Sequence, residues 1–325
     1  MKMNIQFFKK RSKITKNTFS FFIIILNIFV IACSDNDSST VATTTTAAAT
    51  PGIKIVNISD NVSTSDLTTW TTDAAAKMSS QVANVLFVSW DIGAYAADGT
   101  PFNTHTVVIS SEQIETLMTE LDTWLNTTCS TAVSEESAKF RAYITNGSEV
   151  SSQFAICGQY RLVLIAIIQG STSNNSKNLA VHELYHALQQ DLGDEACDTK
   201  RGISGSNGKG WIVEGAADYF ANIEVSGSSA GVQNILKLGL SAYNEDSSAL
   251  ITGTGVASRG SAGVRLMVEK GALTESIILD GSLFHSCATE SDYTDSNSNI
   301  VSAEANWYKI QLSSGVYSFT SAALQ

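Results

Sequence analysis

From residue 53 onward, apolar residues recur either at every second position or at every third or fourth, and each spacing predicts its own element. Residues 53–58 alternate and predict a strand. Residues 65–89 predict a helix, with Asp66 as its cap and Ala74, Met78, Val82 and Leu86 on one stripe. Residues 104–109 predict a strand. Residues 111–125 predict a helix, because Ile114, Leu117, Leu121 and Leu125 fall on one side and acids on the other. Residues 140–145 and 154–156 predict short strands, and the apolar run 161–168 a buried one. A polar turn at 171–177 leads into a helix over 178–192 that Gly193 ends. Residues 194–210, rich in Gly, Ser and Asp, predict a loop. Helices follow over 211–220, 232–243, 263–270 and 272–279, and then a polar loop over 290–299. Residues 307–312 and 316–319, joined by Ser313-Ser314-Gly315, predict a hairpin. The pattern is mixed, α+β, with no internal repeat.

Before residue 53 the pattern changes. Lys2, Lys9, Lys10, Arg11, Lys13 and Lys16 make a basic start with no acid before Asp35, and an apolar run over 21–32 follows, broken once by Asn27. The run is shorter than the roughly 20 residues that a membrane-spanning helix needs and fits the core of a signal peptide. Val30-Ile31-Ala32-Cys33 resembles the bacterial lipobox, which implies cleavage before Cys33 and a lipid anchor on its sulfur. By the same resemblance, Ser34 in the next place implies the outer membrane of the cell envelope. Residues 34–52 are nearly all Ser, Thr, Ala and Asp, too poor in apolar surface to fold, and read as a flexible spacer. The expected organisation is a signal peptide over 1–32, a linker over 33–52 and one folded domain over 53–325 that ends in the hairpin.

Charge narrows the possible partners. The chain carries a net −11; without residues 1–32, Lys plus Arg falls from 20 to 14 against 31 acids, a net −17. No basic patch appears, which speaks against nucleic-acid binding, since phosphates demand clustered Lys and Arg. Four cysteines remain after Cys33: Cys129, Cys157, Cys197 and Cys287. None is paired at metal spacing; an oxidising compartment favours one or two disulfides, with three possible full pairings, and four buried thiols are the alternative.

The chemistry concentrates in Ala180-Val181-His182-Glu183-Leu184-Tyr185-His186-Ala187, a His-Glu-x-x-His stretch in a chain with four histidines. By composition, a chance occurrence has a probability of about 0.002. On a helix, the four-residue spacing puts His182 and His186 on one face, one turn apart, as two imidazoles sharing a tetrahedral zinc require. Glu183 is one residue round from His182, placed to take a proton from water on the metal without ligating it. The alternative is an amphipathic helix with surface histidines. A second predicted helix, 211–220, carries Glu214 and Asp218 four residues apart. Glu214 offers the third ligand, and Asp218 an acceptor for the far ring nitrogen of His182. Ala216 and Ala217 are small enough for the helices to approach closely.

The pair His-Glu-x-x-His and Glu-x-x-x-Asp resembles the gluzincin metallopeptidases, the group of thermolysin. Trp-x-x-Glu-Gly-x-Ala-x-Tyr, starting at Trp211, is similar to the second helix of their aminopeptidase branch. The matching residues lie within 180–220. The resemblance implies a zincin-like domain: a small sheet, an active-site helix and a helical C-terminal lobe. It also implies Zn2+ held by His182, His186 and Glu214, Glu183 as general base, Asp218 behind the ligands, and a peptide or protein substrate. Gln189 and Leu192 stand where the metzincin extension has Gly and His, which excludes that branch. The Gly-x-Met-Glu-Asn strand that grips a free amino terminus is missing from the sequence, which leaves endopeptidase or another substrate open. In gluzincins a His or Tyr downstream of the third ligand faces the oxyanion. His285, Tyr293 and Tyr243 are the positions available here, with His285 first among them. His105 is expected to be structural or exposed, and Tyr185 and Tyr219 to pack. The competing reading is a catalytically inactive zincin-fold surface lipoprotein with a binding role.

Overall fold

Val85-Leu86-Phe87-Val88 and Leu162-Val163-Leu164-Ile165 are apolar at every position, so each needs a dry layer on both sides. A computed structural model of the chain puts them at the centre of a five-stranded sheet. It describes residues 52–78, 84–95, 105–130, 133–148, 151–157, 160–189, 209–245, 247, 251, 256–284 and 297–325, within a single compact unit, Ala47–Gln325. The strands are β1 (Gly52–Asn57), β2 (Asn84–Tyr95), β3 (His105–Val107), β4 (Ser151–Cys157) and β5 (Tyr160–Ile168). Their order is β1-β2-β5-β4. β2 runs parallel to β1, from Gly52↔Asn84 to Asn57↔Ser89, and parallel to β5, from Asn84↔Tyr160 to Ile92↔Ile168. β4 is antiparallel to β5, and β3 pairs antiparallel with the end of β2.

Alternate side chains of the two central strands feed two cores. Val85, Phe87, Val163, Ile165 and Ile167 pack on one face with residues of α1 (Thr64–Ala75) and of a later helix, α4 (Ser173–Gln189). Leu86, Val88, Trp90, Leu162 and Leu164 pack on the other with α2 (Ser111–Thr128) and α3 (Val133–Thr145). α2 opens on a capping box, Ser110 and Gln113 each bonding the other's backbone amide. Arg141 of α3 pairs with Glu115 of α2. Cys129, just past α2, is disulfide-bonded, so four free thiols are ruled out.

The second half is helical: α5 (Gly210–Ser226), α6 (Ser228–Glu245), α7 (Val256–Glu269), α8 (Glu275–Leu279), a 3-10 turn at Ser282–Phe284, and α9 (Ser298–Asn306). Gly227, at φ 77°, turns the chain between α5 and α6, a conformation that side-chain-bearing residues avoid. The hairpin β6 (Ile310–Ser313) and β7 (Val316–Phe319) turns at Ser314 and Gly315, both with positive φ. Gln233 of α6 holds it, donating to the Tyr317 carbonyl and accepting from the Tyr317 amide. A short helix, α10 (Ser321–Leu324), follows the hairpin. Among the described residues no helix is long and apolar enough to cross a membrane.

Four expectations need correction. The helix read over 65–89 stops at Ala75, and Leu86 belongs to β2. A strand buried on both faces has no period of its own, so a helical stripe was drawn through it. The cap of α1 is Ser63, whose hydroxyl accepts from the Asp66 amide; Asp66 sits in the first turn. Residues 140–145 are the end of α3, where Phe140 and Ile144 point inward one turn apart. Residues 298–299 open α9 behind the Asn297 cap, and Ile300 and Ala303 are buried. α4 also starts earlier than the sequence suggests, at Ser173, and Gly193 lies outside the described residues.

Candidate metal centre

β5 delivers the chain to α4, which is buried from Ala180 to Gln189. Its four-residue spacing brings His182 and His186 together with Nε2 atoms 3.0 Å apart and rings at 78°. α5 supplies Glu214, whose Oε2 stands 3.5 Å from each of those nitrogens. Ligands at about 2.0–2.1 Å around a tetrahedral ion stand about 3.3 Å from one another. The three observed separations bracket that value, so the donor atoms converge as a single ion would need them. The His186 ring is fixed from behind: Nδ1–H donates to Gln189 Oε1 at 2.9 Å, which leaves the Nε2 lone pair facing the other donors.

Electrostatics bind the three groups in the metal-free chain. Burial alone would lower the pKa of His186, but the Glu214 carboxylate outweighs it, helped by Glu183 and Gln189, and raises it to about 9. For Glu214, burial pushes upward, yet His186 and His182 draw it far below the usual carboxylate range. Burial raises Asp218, against the Ser261 hydrogen bond and the charge of His182.

The second helix is held by contacts that sequence spacing does not reveal. Where α5 crosses α7, a Cβ on Gly215 would meet the Gly260 carbonyl carbon at 2.3 Å, and one on Gly260 would meet the Trp211 carbonyl oxygen at 2.3 Å. Two adjoining glycines thus let the backbones touch. The close crossing sets Ser261 Oγ 2.6 Å from Asp218 Oδ2. Glu304 of α9 clamps the start of α5, accepting from Trp211 Nε1 at 2.9 Å and pairing with Lys209. Tyr219 donates to Glu275 and accepts from Arg265, while Tyr185 donates to the Ile278 carbonyl, so both tyrosines anchor α8.

Of the residues singled out by sequence, His182, His186 and Glu214 come together, with Glu183 buried in the next position of α4 and Asp218 one turn along α5. Asp218 accepts from Ser261 at Oδ2 and, through its backbone carbonyl, from Asn222 Nδ2. His105 is buried in β3, its Nδ1 2.6 Å from the Gly93 carbonyl. Tyr243 stacks on Tyr308 and meets Trp307 edge-on, in an aromatic cluster near the C terminus. His285, Tyr293, Cys33 and Cys197 lie outside the described residues. Two contributors were missed. Gln189 could have been found three residues after His186 on the same face, whereas Ser261 left no signal near the motif. No family model, curated protein or solved structure matches the chain.

Proposed function

We propose that the chain is a zinc-dependent metallopeptidase of the gluzincin type with a zincin-like fold, anchored by lipid at Cys33 in the bacterial cell envelope. The main support is the convergence of His182 Nε2, His186 Nε2 and Glu214 Oε2, with a further glutamate, Glu183, buried beside them. Two imidazoles and one carboxylate suit zinc and leave a coordination position open. His182, His186 and Glu214 would hold the ion, which would supply polarisation of the scissile carbonyl and a water of pKa lowered toward about 7. Glu183 takes the proton of the attacking water on its carboxylate and passes it to the leaving amine. Gln189 holds the His186 ring in its tautomer, and Ser261 holds the Asp218 carboxyl one turn along α5 from Glu214. β4 runs beside α4 and, among the described strands, pairs only with β5, so its outer edge is where an extended peptide would add as a further strand. The small sheet with a helical second half supports the zincin-like reading. The disulfide at Cys129 supports an oxidising compartment outside the cytoplasm, and the basic, apolar residues 2–33 support export and anchoring.

The test is metal analysis of wild type and Glu183→Gln, beside digestion of unfolded casein. Both proteins are expected to retain zinc, and the variant to lose about 10²–10⁴-fold in cleavage rate. Equal cleavage by both would move the chemistry elsewhere. A zinc-loaded wild type that cleaves no peptide of a broad library would overturn the peptidase reading in favour of a non-peptide substrate or the binding role.

A further inference from the structure

Cys129 is disulfide-bonded, and its partner is one of Cys33, Cys157, Cys197 and Cys287. A disulfide needs its two Cα atoms within about 7 Å of each other, so the pairing depends on what lies under the end of α2. Cys129 is buried there, its amide bonded to the Leu125 carbonyl at 2.7 Å. Of the four candidates, Cys157 falls on a described element, the strand β4.

The path of α2 over the sheet leads to that strand. Glu120 pairs with Lys54 of β1 at 2.7 Å. One turn on, the Trp124 ring meets Tyr160, at the start of β5, edge-on with centroids 6.1 Å apart. In the order β1-β2-β5-β4, the helix therefore runs from one edge of the sheet toward the other. Neighbouring strands stand about 4.8 Å apart. Cys129 comes five residues after Trp124, or about 7.5 Å further along the helix at 1.5 Å per residue. The next strand under that advance is β4.

The register of β4 then picks out the residue. Phe154 stands opposite Leu162 and Ala155 opposite Arg161, a pairing that would bring Ile156 opposite Tyr160. A bulge after Ala155 sets Cys157 there instead. Directly opposed residues of an antiparallel pair share a face, and Tyr160 packs on the core beneath α2. The Cys157 position thus lies on the α2 side of the sheet, opposite the ring that Trp124 touches. The chain toward Cys197 leaves α4 just after Leu188, and the chain toward Cys287 leaves the 3-10 turn just after Leu283; both leucines belong to the core on the other face. Cys33 precedes β1, at the far edge of the sheet from β4.

We infer that Cys129 is bridged to Cys157, which staples the edge strand β4 to α2. Among the described strands β4 is held by β5 alone, and the bridge ties it to the helix layer as well. Under the peptidase reading, β4 is the strand that an extended peptide would join, and that consequence rests on the reading. The bond itself does not.

Trypsin separates the cysteines, placing Cys129 in the peptide 78–139, Cys157 in 142–161, Cys197 in 178–200 and Cys287 in 271–309. The full chain, alkylated and digested without reductant, is expected to yield 78–139 joined to 142–161, a species that reduction splits in two. A link from 78–139 to any other cysteine peptide would overturn the inference, and so would Cys157 recovered alkylated. In the denatured, unreduced chain, Cys157→Ser should expose Cys129 to alkylation and Cys197→Ser should leave it blocked, whether or not either variant folds; the reverse pattern would reassign the bond. Hydrogen exchange of the folded protein reads the staple: reduction should speed the amides of β4 and spare those of α4, and unmoved β4 amides would refute the stapling. Casein cleavage enters none of these measurements, so the failure of the bond and the failure of the peptidase reading are told apart.

Discussion

The two ring nitrogens of His186 face different parts of the protein, Nε2 toward Glu214 and His182 and Nδ1 toward Gln189. Folding raises the pKa of this ring from 6.5 to about 9, so its pairing with Glu214 contributes fully below about pH 6.5 and is lost as pH rises through about 9. Urea denaturation of the chelator-treated chain should therefore show stability falling between pH 6.5 and 9, and a flat profile would contradict the pairing. Metal affinity should run the other way over the same range, because the ring must shed its proton to ligate. Ser261→Ala removes the hydroxyl that donates to the buried Asp218 carboxyl. It should cost about 1–3 kcal/mol of stability and about 10–100-fold in zinc affinity. Competition with a chromogenic chelator reads the second effect. His182, Glu183 and His186 were legible because four residues of spacing is a local property of one helix. Ser261 was not, since 43 residues separate it from Asp218 and only the crossing of α5 and α7 joins them.

At the level of elements, the glycine pair at the α5–α7 crossing is the most demanding feature. Gly260→Ala would set a methyl group against the Trp211 carbonyl and push the helices apart. An over-packed contact of this kind costs about 1–3 kcal/mol; a thermal melt should show it, and zinc retention should fall with it because Glu214 rides on α5. An unchanged melt would mean that the crossing is looser than described. Elements with one wet face read correctly: α2, with its stripe and acidic back, and β1, which alternates at the sheet's edge; β5, buried on both faces, read correctly from its unbroken apolar run. Those misread were β2, whose apolar centre also fits a helical stripe, and α3, which is weakly patterned. β2 is apolar without a break from Val85 to Val88, and α3 shows, among the described side chains, a Phe140–Ile144 pair on its inner side.

Across the whole molecule, the sheet half contributes the histidines and Glu183, and the helical half contributes Glu214, Asp218 and Ser261. The centre thus depends on how the two halves dock. The bridge at Cys129 ties down the end of α2, on the sheet face away from α4. Cys129→Ser should lower stability by about 2–4 kcal/mol in guanidinium melts, yet leave zinc binding intact in the folded protein; loss of zinc there would mean that the two faces are coupled. Local spacing along the chain was enough to mark a mixed α and β domain and a helix presenting two imidazoles, because both follow from periods of two to four residues. It could suggest Glu214 as the partner but not its reach. That reach, the double burial of β2 and the backing of Asp218 by Ser261 all arise from packing between segments far apart in the chain, where no short-range pattern records the contact.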